Sequence, residues 1–174
     1  MLYEPREDSE LIKKHIKAYA KGSVLDMGAG TGILAVEARK FTDKVYAVDI
    51  QDVALNHCKK HLNGITVIKS DLFKNIPKTQ FDLIMFNAPY LPSDPNDPDP
   101  SLDGGKKGYE IIIKFLKQAK PFLKKEGNIL LLCSEFSQPK VIEKELKKLK
   151  YAFSIIDKEG FDFESLYLYK ISNI

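Results

Sequence analysis

Several polar side chains in this sequence recur at one kind of place, directly after a short apolar run. Val24-Leu25-Asp26-Met27 leads into Gly28-Ala29-Gly30-Thr31-Gly32, Val45-Tyr46-Ala47-Val48 ends in Asp49, and Val67-Ile68-Lys69-Ser70 ends in Asp71. The run Phe81-Asp82-Leu83-Ile84-Met85-Phe86 stops on Asn87-Ala88-Pro89-Tyr90. Glycines such as Gly28 and Gly30 let a backbone approach a ligand without Cβ interference. Asp49 follows the glycine loop by about 20 residues, the spacing at which a carboxylate accepts hydrogen bonds from both ribose hydroxyls. Asp71 and the backbone of Leu72 would then reach the edge of an adenine, and Ile50 would cover one face of the ring. Asp26 would sit beneath the loop, orienting its amides and favouring an ammonium group. Together these residues describe a nucleoside pocket.

Two ligands suit such a pocket, a nicotinamide or flavin dinucleotide and S-adenosylmethionine. The loop has Ile33 where G-x-G-x-x-G requires its third glycine, and Asp26 precedes it where a pyrophosphate would be repelled. S-adenosylmethionine has no phosphate and carries an α-ammonium, so its charge fits better. The Asn87 loop adds a reaction. A planar amide or exocyclic amine nitrogen is a poor nucleophile because its lone pair is delocalised. The Asn87 Oδ1 and the Ala88 carbonyl, placed together, can accept its two N–H groups, localise that pair and aim it. Pro89 would stiffen the turn, and Tyr90 would offer a ring face for a flat group to stack on.

Such strand-end chemistry needs a sheet, and the pattern supplies one. Apolar runs at 23–28, 44–50, 65–71, 81–87 and 128–134 alternate with amphipathic stretches at 31–41, 52–62, 109–123 and 139–150, after a leading helix over 7–20 in which Asp8 or Ser9 can serve as N-cap. Strands apolar on both faces and separated by helices argue for a doubly wound, Rossmann-like α/β sheet of about seven mostly parallel strands, with helices on both faces. Two closing runs, 151–157 and 165–171, lack a helix between them and predict a hairpin with one antiparallel C-terminal strand.

At 174 residues and 44% hydrophobic content, the chain predicts a single domain spanning 1–174, with residues 1–20 capping the cofactor site. A net charge of +3 gives no strong case for direct nucleic-acid binding. Cys58 and Cys133 form no C-x-x-C pair or disulfide framework, and no apolar run approaches membrane-spanning length, so a cytoplasmic location is expected. His57 and His61 have an i, i+4 spacing that can bind metal, but no third ligand is evident and no metal is expected. Glu7 and Asp8 either serve the helix dipole or approach the cofactor, and for Asp8 the structural role is preferred. His15 is read as helix packing. The Pro- and Asp-rich segment 91–103 is read as a mobile lid beside Tyr90.

The motifs Asp26–Gly32 and Asn87–Tyr90, with "YEPREDS" near the start, "DGGKKG" before a helix and the closing "FESLYLYKI", resemble the HemK family. These are class I S-adenosylmethionine-dependent methyltransferases, and the match is to the archaeal and eukaryotic branch that methylates the GGQ glutamine of class I translation release factors. The resemblance implies that Ser9 touches the methionine part of the cofactor, Asp26 and Gly28 its amino-acid end, Asp49 its ribose, and Asp71 with Leu72 its adenine. Asn87, Pro89 and Tyr90 would hold the glutamine amide. The family usually has Asn-Pro-Pro-Tyr, and Ala88 departs from it; the role there belongs to the carbonyl, which alanine also has. By resemblance the protein is expected to lack the N-terminal helical domain of bacterial members and to pair with a small zinc-binding activator subunit. Rival readings are methylation of adenine N6, guanine N2 or a protein lysine, and a non-catalytic cofactor-binding subunit.

Overall fold

The computed structural model describes residues 7–96, 99, 101–161 and 164–174. The Tyr3–Arg6 part of "YEPREDS", Phe163 of "FESLYLYKI" and positions 97, 98 and 100 of the 91–103 segment lie outside them. Helix α1 (Glu7–Tyr19) is followed by β1 (Ser23–Met27), α2 (Ile33–Arg39), β2 (Lys44–Asp49), α3 (Asp52–His61), β3 (Thr66–Lys69) and β4 (Phe81–Asn87). The chain continues through α4 (Glu110–Ala119), β5 (Leu123–Ser134), α5 (Pro139–Lys148), β6 (Tyr151–Gly160) and β7 (Ser165–Asn173). The seven strands form one sheet in the order β3-β2-β1-β4-β5-β7-β6. All pairs from β3 to β5 are parallel, and β7 runs antiparallel to both β5 and β6.

The period of two along each strand sorts the core into two layers. In β4, Leu83 and Met85 join Leu11, Ile12 and Ile16 of α1 and Leu34, Ala35 and Ala38 of α2 on one face. Ile84 and Phe86 point the other way, onto Ile112 and Phe115 of α4 and Ile142 and Leu146 of α5. Neither side chain set reaches solvent, which is why these strands read as unbroken apolar runs.

Several boundaries moved from their sequence-based positions. Helix α4 stops at Ala119 and passes into a 3-10 turn, Lys120–Phe122, because Pro121 has no N–H to continue the ladder. Strand β5 begins five residues early, at Leu123, where Phe81 pairs with Leu123 before a register shift, with the extra residues on β5, lets Leu83 pair with Asn128. Helix α1 already includes Glu7, so Asp8 and Ser9 lie inside the helix and are not its cap.

From β1 the chain winds outward to β3, then returns to β4 on the other side of β1. The order therefore reverses between β1 and β4, and the crevice at their carboxyl ends is where an open sheet of this kind binds ligands. Met27 pairs with Phe86, so the residues that follow, Gly28 and Asn87, emerge side by side.

Candidate active site

A cavity of about 570 Å³ opens at that crevice, lined from four strand ends, from α1 and from the 101–111 segment. Its wall includes Ser9, Asp26, Gly28, Gly30, Asp49, Ile50, Asp71, Leu72, Asn87, Ala88, Pro89 and Tyr90, so the structure brings every sequence-predicted site residue to one place. The lining is also rich in carboxylates: among the described residues it includes Asp8, Asp26, Asp49, Asp71 and Asp103 and one cationic side chain, Lys106.

The floor is the glycine loop. Its Ala29 N–H donates to Val48 O at 2.9 Å, Gly30 N–H donates to Asp49 Oδ2 at 2.9 Å, and Gln51 N–H donates to Asp49 Oδ1 at 2.9 Å. Asp49 thus fixes the loop with the same carboxylate that would accept ribose hydroxyls, each oxygen keeping a second lone pair for a ligand. From below, Cys58 Sγ contacts Gly30 O at 3.4 Å. Its thiol is pushed up to about 11, by burial first and then by the charges of Asp26 and Asp49. Gly30 has φ +53, and a Cβ there would meet nothing within 4 Å, as expected where the backbone borders an open cavity. Gly32 has φ +79 and its Cβ would lie 2.4 Å from Leu62 Cδ1, so here glycine answers to packing.

Asp26 is completely enclosed, and its Oδ2 accepts from the Ala35 N–H in the first turn of α2 at 3.0 Å. Burial pushes its carboxyl up to about 8; the Ala35 bond opposes the shift and the charge of Asp49 adds to it. A neighbouring ammonium would favour the ionised form.

The third strand end differs from expectation. The Asp71 carboxylate is half exposed and faces α4, where Lys114 Nζ donates to its oxygens at 3.0 and 2.8 Å. An exposed pair of this kind is worth only ~0–1 kcal/mol, little enough for an adenine amine to displace or share. Leu72, next in the chain, holds φ +50, a left-handed conformation that costs a non-glycine residue roughly 1–3 kcal/mol and that concentrates at ligand sites. Ile50 is 54% exposed and Val53 46% exposed on the cavity rim, a pair of apolar side chains placed to cover a flat ring.

At the fourth strand end the carboxamide of Asn87 is held from α1. Its Nδ2 donates to Asp8 Oδ2 at 3.0 Å and approaches Ser9 Oγ at 3.4 Å, while its Oδ1 is buried with no hydrogen-bond partner among the described residues. Asp8 is 4% exposed. The sequence left Asp8 between a helix-dipole charge and an approach to the cofactor, with the structural role preferred; its bond to Asn87 is a contact that the sequence did not indicate. His15, read as packing, pairs through Nε2 with Asp157 Oδ2 of β6 at 2.8 Å and so ties α1 to the C-terminal hairpin.

The segment after Tyr90 folds back on itself. Leu91 N–H donates to Leu102 O, Gly104 N–H to Leu91 O and Ser93 N–H to Gly105 O, so the base of the expected lid is a set of backbone bonds. Two glycines make that closeness possible. A Cβ on Gly104 would lie 2.8 Å from Pro89 O, and one on Gly108, at φ +81, would lie 2.6 Å from Tyr90 O. Their spacing in "DGGKKG", just ahead of a helix, was the only trace of this role in the sequence. His57 and His61 lean on one another with ring centroids 4.6 Å apart, and no group of three potential metal ligands occurs among the described residues. No helix among them is long and apolar enough to cross a membrane.

The family model described as "methyltransferase small domain" matches residues 6–161. A relative from Methanocaldococcus jannaschii, provisionally named a protein N5-glutamine methyltransferase, is 35% identical, with 95% of this chain and 88% of that protein covered. A release factor glutamine methyltransferase from Shewanella oneidensis is 30% identical over 73% of this chain, which spans only 51% of that bacterial protein. Among solved structures, a chain of the E. cuniculi Mtq2–Trm112 complex, described as responsible for methylation of the translation termination factor eRF1, superposes with a TM-score of 0.81 at 27% identity. That match covers 99% of this chain and 98% of the other.

Proposed function

The chain belongs to the methyltransferase small domain family, and from that premise we propose that it moves a methyl group from S-adenosylmethionine to the side-chain amide nitrogen of a glutamine, the one in the GGQ motif of a class I release factor. The observation that carries the acceptor assignment is the buried, unpartnered Oδ1 of Asn87. A buried acceptor without a partner, on a residue that lines the cavity, calls for a ligand that brings an N–H. A primary amide brings two, the second for the Ala88 carbonyl.

When bound, the cofactor supplies an electrophilic methyl group on a sulfonium. The acidic wall suits that cation and its α-ammonium and would repel a dinucleotide pyrophosphate. In this reading Asp26 and Gly28 hold the amino-acid end, with Ser9 against the methionine chain. Asp49 holds the ribose beside Gly30, and Asp71 and Leu72 bind the adenine edge under Ile50. Asn87 Oδ1 and the Ala88 carbonyl accept the amide N–H groups and aim the nitrogen lone pair at the methyl carbon. The bound cofactor would supply the methyl carbon, whose C–S bond would break toward sulfur as the N–C bond formed, and the surplus amide proton would pass to water. Pro89 stiffens the turn and Tyr90 offers its ring to the amide plane. The chain acts as one methyltransferase domain whose segment 1–20, of which 7–20 are described, closes the cofactor site.

Near-complete two-way coverage with a chain of the Mtq2–Trm112 complex supports an activator subunit as partner. The test is transfer of labelled methyl from S-adenosylmethionine to a purified release factor, with and without that subunit. Label is expected on the intact GGQ protein and absent when its glutamine is replaced by alanine. Equal labelling of both, or labelling of RNA in place of protein, overturns the substrate assignment.

A further inference from the structure

A carboxamide has two ends that are nearly the same size, and the proposed reaction works with only one of them facing the acceptor. With Oδ1 toward the cavity, Asn87 can accept an N–H; with Nδ2 there, it would oppose the substrate donor with another donor. Something must choose between the two orientations. Ser9 cannot, because a hydroxyl both donates and accepts. Asp8 can, because a carboxylate oxygen is an acceptor. Its Oδ2 lies 3.0 Å from Asn87 Nδ2, and turning the carboxamide over would place two acceptor oxygens against each other at that distance in a buried site.

We infer that Asp8 is a positioning residue that sets the orientation of the Asn87 carboxamide and so makes the site selective for acceptors that bring N–H groups. The inference rests on the reading of Asn87 given above. The device spans 79 residues of sequence, and it holds because α1 is anchored independently of it. Leu11, Ile12 and Ile16 are buried in the layer that contains Leu83 and Met85 of β4, and His15 is tied to Asp157. Helix α1 therefore carries the carboxylate to a fixed point beside the end of β4.

The decisive experiment exchanges the two side chains. Asn87→Asp alone sets two carboxylates against each other, and Asp8→Asn alone leaves an amide that accepts either orientation of its neighbour. Each single variant is expected to lower kcat roughly tenfold or more, with KM for S-adenosylmethionine changed only a few-fold. The double variant Asp8→Asn/Asn87→Asp restores one N–H···O bond, now donated by residue 8, and again presents an acceptor oxygen to the substrate. It should recover about tenfold over the weaker single variant. A residue serving only stability or cofactor binding gives no such recovery, and a double variant no more active than the weaker single overturns the inference.

A second readout needs no methyl transfer. In the full chain, the Asn87 side-chain NH2 signal, identified by its loss in Asn87→Asp, should be protected from solvent exchange and lose that protection in Asp8→Asn. An unchanged signal overturns the inference by itself. If the wild-type protein transfers no methyl to glutamine while the signal behaves as described, the proposed substrate has failed and the orienting role of Asp8 stands.

Discussion

The loops after β1 and β4 leave neighbouring strands one register step apart, yet they are held in different ways. The glycine loop is fixed by its own half of the sheet: Val48 and Asp49 of β2 and Cys58 of α3 supply its partners, the nearest of them 19 residues away. The Asn87 loop is held by α1, 78 and 79 residues earlier, and by glycines that follow the 91–103 excursion. A cradle for a cofactor can thus be built by adjacent strand ladders and serve many reactions. The part proposed to select the acceptor depends on distant elements meeting at one strand end, where a small error in either would change the chemistry.

This contrast can be tested by damaging each side in turn. The largest effect is expected from Asn87→Ala, which removes the acceptor oxygen and should cost roughly 10²–10³ in kcat while cofactor affinity, measured by calorimetry, stays within a few-fold. Retained turnover would place the chemistry elsewhere. Next comes Gly108→Ala, which adds a Cβ at positive φ against two backbone oxygens, those of Tyr90 and Phe136. It should lower both Tm and kcat. Gly30→Ala, with open space beside it, should lose only the ~1–2 kcal/mol of left-handed strain. Equal melting shifts for the two would show that the acceptor loop is not held by close backbone packing.

The remaining test concerns Asp26 and depends on pH. Its carboxyl ionises near 3.8 in the unfolded chain but is raised to about 8 in the folded one, so between those values the folded state binds the extra proton. The stability it contributes is fully present below pH 3.8 and is lost as pH rises to about 8. Asp26→Asn cannot ionise, and its Tm without cofactor should gain on the wild type steadily from pH 5 to 8. A constant difference across that range would mean that Asp26 is already ionised in the free protein.

Much of the architecture was legible because parallel strands buried on both faces leave continuous apolar runs, and the helices between them leave a period near 3.6. Glycine loop, strand-end aspartates and Asn87 were legible for a related reason, since a ligand at the carboxyl edge of a sheet must be met by residues that end strands. Asp71 shows the limit of that logic. Its place at a strand end was readable, but its pairing with Lys114 was not, because nothing local to either residue says that α4 passes beside β3.

The sequence by itself therefore determined the sheet, the strand-end groups and the acidic character of the pocket, all consequences of local pattern and composition. Only the tertiary structure decided how those groups are aimed. The orientation of the Asn87 carboxamide, the latch on Asp71, and the tight packing of Gly104 and Gly108 behind Pro89 and Tyr90 each join segments far apart in the chain. Hydrogen-bond direction and close approach are properties of such meetings, and they exist only once the elements have packed.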